Sequence, residues 1–453
     1  MSFKNQPQSF EIQSSKEHLI DIDHHNEKGG FGILDNPYSQ NSQRGSSGYN
    51  SAHNQQIQNK ASDFQCLMVS IKLFFGLSYL SIPNTFALAG VLGGTLMLSI
   101  VVFLNVITMM QVLQVARQYH GVKSYSQLGN LVFGQRGKQV IDVCVIITQL
   151  SCCIAYQYFA ASSINFILCQ YSDYCYGNRL FMILLTIPVI FLSFLGSYKA
   201  LSYLSIPSII IAVMGMITIF FYSFEKIKMS EKPALEGVNW FYLPAVFGRM
   251  GIAMHIFSGN PSILNIRGEA SHKKRYPSIL KFAVLFLLVL FTFYGATSYI
   301  AYKEDTKPIF IMSMLPLDPF ILFIFACFSF NSMTSYPVQI LSAFQIIEGL
   351  DIFQSIQAPY HLKRYLTRTF IIISVTCVAL IVPNFTDFLN ISGSLGATFS
   401  CFVIPQFLYM KQFQRSLRLH QKIGCILLIL VGISGSLFSI NYTIQRIMHD
   451  VNN

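Results

Sequence analysis

A lysine, a histidine and two runs of small or polar residues interrupt stretches of this chain that are otherwise apolar enough for lipid. In residues 71–90 the interruptions are Lys72 and the break Gly76-Leu77-Ser78. In residues 247–262 they are His255 and the break Ser258-Gly259-Asn260-Pro261. Irregular backbone at membrane depth is tolerated only where protein or a water-filled cavity surrounds it, so each break is expected to line a cavity. A matched pair of interrupted helices in the two halves of a chain is the sequence pattern of a secondary transporter's binding site. The chemistry on offer is therefore noncovalent recognition. Apart from the amino-terminal segment, the acids fall in loops or at span ends, as at Asp142, Asp318 and Glu348. No deep pair of carboxylates is available for acid/base work or for a divalent-metal cage, so an enzyme is not expected, and neither is a metal or cofactor.

The elements that must position these residues are membrane spans. Of 453 residues, 53% are hydrophobic and 11% charged, against roughly 25% charged in a soluble domain. Apolar runs near the ~20 residues that cross a bilayer occur at about 66–89, 92–115, 140–168, 180–197, 201–222, 241–264, 278–301, 318–347, 367–383, 388–409 and 423–444, which predicts eleven spans. A net charge of +11 in a soluble protein would suggest nucleic acid. Here the basic residues sort by side instead. With the amino terminus in the cytosol, the loops at 117–138, 198–200, 265–277, 348–368 and 410–422 carry sixteen Lys/Arg, against seven in the opposite loops and the carboxy-terminal tail. That asymmetry is the positive-inside pattern, and the partner it implies is the lipid bilayer.

Residues 1–62 are rich in Gln, Asn, Ser, His and Gly and poor in aliphatics, so they are expected to form a disordered cytosolic tail. No apolar core of a signal peptide is visible there. Residues 63–449 form the membrane domain. In the third span Gln149, Tyr156 and Gln157 should face the bundle, because an unpartnered amide or hydroxyl is expensive in lipid. Bonding between helices is the alternative to ligand contact for each. The eighth span has a polar middle, Ser329-Phe330-Asn331-Ser332-Met333-Thr334-Ser335. Residues 383–387, Pro-Asn-Phe-Thr-Asp, are read as the link between spans nine and ten, and Gly196 to Lys199 as a tight turn. Of ten scattered cysteines, only Cys169 and Cys175 are placed to pair.

Gly76-Leu77-Ser78-Tyr79-Leu80-Ser81-Ile82-Pro83 with Ala89-Gly90, Thr148-Gln149-Leu150 with Cys152 and Tyr156, Tyr336-Pro337-Val338-Gln339, Ile381-Val382-Pro383, Gly393-Ser394 and Ile404-Pro405 together carry a family likeness. Over residues 64–444 the chain resembles the amino acid/auxin permease family. The resemblance implies an all-α, LeuT-type fold of eleven transmembrane helices, two inverted five-helix repeats plus one, with substrate held between broken helices one and six. Amide N–H groups and half-helix dipoles at a break suit a carboxylate, and freed carbonyls suit an ammonium. An α-amino acid carries both.

On this reading the protein is a secondary active amino-acid transporter with Gly76, Leu77, Ser78, Tyr156, His255, Ser258 and Asn260 at the substrate. The absence of an acidic side chain beside either break favours neutral amino acids. His255 stands where some proton-coupled relatives have glutamate and can titrate near neutral pH. Lys72 precedes Gly76, where sodium-coupled relatives place an ion-binding asparagine. Its ammonium could reach Ser329, Asn331 or Ser332 and replace sodium, leaving a proton as the coupling ion. Snorkelling to cytosolic water is the alternative for this lysine. The rival function is an amino-acid sensor on the same fold, signalling through the tail. The membrane is expected to be vacuolar, lysosomal or plasma membrane.

Overall fold

The computed structural model describes residues 61–452 apart from 172–174, 195–197, 231–232, 315–317, 356, 358 and 383, with backbone alone at 198–206, 209, 351–352 and 450–452. The tail up to residue 60, Gly196-Ser197 of the expected turn, and Pro383 thus lie outside the described residues.

All described regular elements are helical, and one isolated bridge pairs Ala61 with Ala270. Helix α1 (Asp63–Phe74) starts in a reciprocal cap: Ser62 accepts from the Gln65 amide and the Gln65 side chain accepts from the Ser62 amide, satisfying two of the donors that a helix start leaves open. Its continuation fails at Phe75 and Gly76, whose ψ values of 59° and 176° are not helical. The chain resumes as a 3-10 turn (Leu77–Ser81) and α2 (Ile82–Ala89), bent by 45° from α1.

Helix α3 (Val91–Arg117) follows, then α4 (Tyr125–Tyr171), interrupted at Gly134 with φ of 72°. Next come α5 (Asn178–Ser193) and α6 (Tyr198–Met229). The second broken span consists of α7 (Leu243–Gly248), α8 (Met250–Ile256) and α9 (Asn260–Glu269). Beyond it lie α10 (Tyr276–Tyr302), α11 (Pro319–Glu348), the short α12 (Asp351–Ser355) and α13 (Tyr360–Ala379). Helix α14 (Phe385–Ser392) runs into a wide π-helical stretch, Gly393–Val403, and on into α15 (Ile404–Gln412). Helix α16 (Leu419–Asn452) closes the chain.

Seven helices among the described residues are long and apolar enough to cross a membrane, or eight with the bent pair of α1 and α2. The chain is a multi-pass membrane protein. The eleven expected spans exceed that number for local reasons: α5 is only sixteen residues long, the sixth stretch is cut into three pieces, and α13 begins with the basic run His361-Leu362-Lys363-Arg364. Cys169 and Cys175 are joined as a disulfide, with Cα atoms 5.1 Å apart.

At Gly251 and Gly393 two backbones meet at close range. A Cβ on Gly393 would lie 1.9 Å from the Gly251 carbonyl oxygen, and one on Gly251 would lie 2.1 Å from the Asn390 carbonyl oxygen. Only glycine fits at either position, so α8 and the start of the π-helical stretch touch without intervening side chains. Gly393→Ala is therefore expected to cost at least ~1–3 kcal/mol through overpacking, lowering the melting temperature in detergent by several degrees. Gly424→Ala, in a helix with open space around it, should not lower the melting temperature. Equal melting of the two variants would disprove the contact.

Candidate functional site at two broken helices

Gly76 precedes the 3-10 turn with no side-chain cap, so the first amides of the turn have no local side-chain acceptor. Close by is Tyr156 on α4, whose Oη lies 3.7 Å from where a Gly76 Cβ would be. The opposite break follows His255 at the end of α8. There Ser258 turns its hydroxyl back to donate to the His255 carbonyl at 2.7 Å, closing the last helical turn.

Between the breaks lies a cavity of ≈ 10 Å³, lined by Leu77, Ser78, Cys152, Ala155, Tyr156, His255 and Phe385. Four of the expected residues, Leu77, Ser78, Tyr156 and His255, are thus brought together, with Gly76 beside Tyr156. The His255 Nδ1 is 3.4 Å from the Ser392 hydroxyl of α14. Ser258 and Asn260 do not join the lining. Asn260 faces the other way, donating to the Cys401 carbonyl at 3.1 Å and toward the Thr108 hydroxyl at 3.4 Å. It braces the second break from behind, together with Asn105, which donates to the Phe257 carbonyl at 2.5 Å.

The polar middle of α11 is committed to helix bonds. Ser329 donates within its own helix to the Phe325 carbonyl, while Ser332 donates to the Tyr156 carbonyl at 2.5 Å and the Asn331 side-chain oxygen accepts from Ser208 of α6. The last two bonds tie α11 to α4 and α6. Lys72 is half-buried in the last turn of α1. Gln157 bonds Met182, Thr186 and Thr376, so it joins helices rather than meeting a ligand.

The largest departure from expectation concerns residues 383–387. Phe385 to Asp387 belong to α14, and Asp387 is not a loop acid but a fully buried one. Its carboxylate takes a 2.6 Å bond from Arg249, itself 0% exposed between α7 and α8, with Arg446 of α16 at 3.9 Å. The helix starts this early because Asn384 caps it, accepting from the Asp387 amide at 2.8 Å and donating to the Asp387 carboxylate. Two sequence signals pointed here: an Asn-x-x-Asp cap pattern, and a lone arginine in an apolar run, which requires a buried counter-charge. Phe385, Cys152 and Ala155 gave no such signal, being ordinary apolar residues until the fold gathers them.

A second break in the same span is thereby supported. Asn390 donates to the Gly248 carbonyl and the Thr443 hydroxyl, both at 2.6 Å, and accepts from the Ile252 amide at 3.0 Å, while Ser439 donates to Gly248 at 3.0 Å. Neighbouring helices thus satisfy the backbone that the break at Arg249 sets free.

Two interrupted helices facing each other across a bundle are an arrangement found in membrane-transporter folds. Consistent with this, a solved structure of Mhp1 in its inward-facing conformation superposes with a TM-score of 0.62 at 10% identity, covering 87% of this chain and 92% of that one. A Na+-coupled sialic acid symporter superposes at 0.51, with 11% identity and coverage of 83% and 88%. These likenesses show the fold, which is the LeuT-type one. The family model described as transmembrane amino acid transporter protein matches residues 59–445, and the chain belongs to that family, within the amino acid/auxin permease group. It is 26% identical to amino acid transporter AVT3A of Arabidopsis thaliana over 79% of this chain and 83% of that protein. It is 21% identical to vacuolar amino acid transporter 4 of Saccharomyces cerevisiae over 76% of this chain and 52% of that one. The family and these relatives are transporters, not enzymes.

Removing one partner of a buried ion pair costs ~3–5 kcal/mol, whereas replacing both by apolar residues is often neutral. Arg249→Met should therefore lower folded yield and melting temperature sharply, and Arg249→Met with Asp387→Leu should recover most of the loss. A single variant as stable as the unmodified protein would mean the pair is not buried.

Proposed function

We propose that this protein is a secondary active transporter of neutral amino acids, working by alternating access and coupled to protons. The observation that carries the reading is the cavity between the two breaks. It is walled by Ser78, Tyr156 and His255 and contains no acidic side chain to pair a cationic substrate. Its volume of ≈ 10 Å³ is about one water-sized sphere, so an amino acid can be admitted only by moving the walls. The transport domain is residues 63–449, with eleven transmembrane helices in two inverted five-helix repeats plus one, a cytosolic amino terminus and a tail of residues 1–62. A vacuolar, lysosomal or plasma membrane suits it, and the yeast relative is named vacuolar.

The substrate lies near Gly76, Leu77, Ser78, Tyr156 and His255. Ser258 and Asn260 shape the break that completes the site. His255 carries the coupling proton, supported by its place on the cavity wall beside Ser392. Lys72, one turn before Gly76, stands in for a driving cation, with the oxygens of Ser329, Asn331 and Ser332 as the partners it would take in that role in exchange for their present bonds.

Uptake into proteoliposomes from a labelled amino-acid panel tests the substrate class. Alanine and glutamine should exceed lysine and arginine, and the reverse order would reject it. Binding with no uptake of any amino acid would instead indicate a sensor.

Replacing sodium by choline should leave uptake unchanged, while an imposed proton gradient should stimulate it. Lys72→Ala should abolish nearly all uptake. His255→Ala should keep exchange but lose acid stimulation. Strict sodium dependence, or full acid stimulation without the imidazole, would remove these residues from the coupling step.

A further inference from the structure

Two hollows in the bundle share one wall. The inner one is the cavity between the breaks. The outer one, of ≈ 300 Å³, is bounded by Tyr158, Asn165, Asn178, Lys307 and Asn384, among others. Phe385 lines both. It is 1% exposed, with its ring centroid 5.9 Å from that of Phe159 and 6.4 Å from that of Tyr158. Its backbone is the first residue of α14, held on one side by the Asn384 cap. On the other side the Thr386 hydroxyl donates to the Pro308 carbonyl, at the rim of the outer hollow, at 2.7 Å.

We propose that the Phe385 ring is the partition between the outer hollow and the substrate cavity, and that its displacement sets which amino-acid side chains enter. The inference rests on the transport reading for its substrate and on geometry for the partition. An aromatic side chain offers a large apolar seal and no hydrogen bond that must be broken to move it. Aromatic neighbours at 5.9 and 6.4 Å hold it by packing alone, so it can swing while α14 stays capped. The outer hollow has the amides and the cation to receive a zwitterion: Asn165 and Asn178 are bonded at 2.9 Å, and Lys307 is exposed at its edge. The inner cavity accepts what remains once the ring has moved aside, and a longer side chain demands a wider swing.

Cys152 on the inner cavity wall is a built-in reporter. The test uses the full chain in proteoliposomes with Cys66, Cys144, Cys153, Cys327, Cys377, Cys401 and Cys425 replaced by serine or alanine and the Cys169–Cys175 disulfide kept. An impermeant anionic methanethiosulfonate is applied, and Cys152 modification is followed by mass. Lys307→Cys, at the edge of the outer hollow, reports in a parallel sample that the reagent reaches that side, and the melting temperature of each Phe385 variant reports that the fold is retained. Modification of Cys152 is expected to be slowest with Phe385→Trp, then the native ring, then Phe385→Leu, and fastest with Phe385→Ala. The last should exceed the native rate by roughly ten-fold or more, because truncating a buried ring leaves a void in place of a seal. Equal rates across the series, with Lys307→Cys still labelled, would overturn the partition. Labelling needs no transport, so this failure is distinct from failure of the transport reading. In the uptake arm, Phe385→Ala should raise uptake of phenylalanine relative to alanine several-fold, and an unchanged ratio would overturn the size filter.

Discussion

Arg249 and Asp387 form a fully buried ion pair, and the geometry of the centre depends on it. An isolated charge in a low-dielectric interior is so unfavourable that each member needs the other at hydrogen-bond distance. Arg249 sits between α7 and α8, and Asp387 in the first turn of α14, so satisfying the charges fixes where the sixth stretch breaks relative to the start of α14. From that anchor the Gly251 and Gly393 backbones come into contact. His255, one turn further along α8, then faces Ser392 and the cavity. Phe385, two residues before Asp387, is set on the cavity's other wall by the same constraint.

Breaking helices inside a membrane domain releases backbone groups that must find partners, and the chain answers with side chains from elsewhere. Asn390, Ser439 and Thr443 serve the break at Arg249. Asn105 serves the region around Phe257 by donating to its carbonyl, and Asn260 ties the break to the Cys401 carbonyl. Short amides are suited to this because each carries a donor and an acceptor, and Asn390 uses both at its break. The breaks are thus supported from the side remote from the cavity, leaving the cavity face for Leu77, Ser78, Tyr156 and His255. Away from the breaks, Ser332 and Asn331 of α11 bind α4 and α6 together in a second group of helices.

Much of this was legible from residue order. Long apolar runs and the two interrupted stretches follow from hydropathy and from the cost of broken backbone in lipid, while the placement of Tyr156 and His255 at a common cavity came only with the family resemblance. What was not legible depends on contacts between residues far apart in sequence. Asp387 reads as a loop acid because Pro383 stands before it and its partner lies 138 positions earlier. Asn260 reads as a ligand because it adjoins a break, and only packing reveals that its amide turns toward Cys401. Phe385 is one of 40 phenylalanines, with nothing local to distinguish it.

A cavity with room for about one water-sized sphere also has an electrical consequence. Leu77, Ala155 and Phe385 present apolar surface to it, which gives a file of waters or a bare ion nothing to bond to. For a transporter of the kind proposed, charge would then cross together with a change of shape, as a countable event rather than a current.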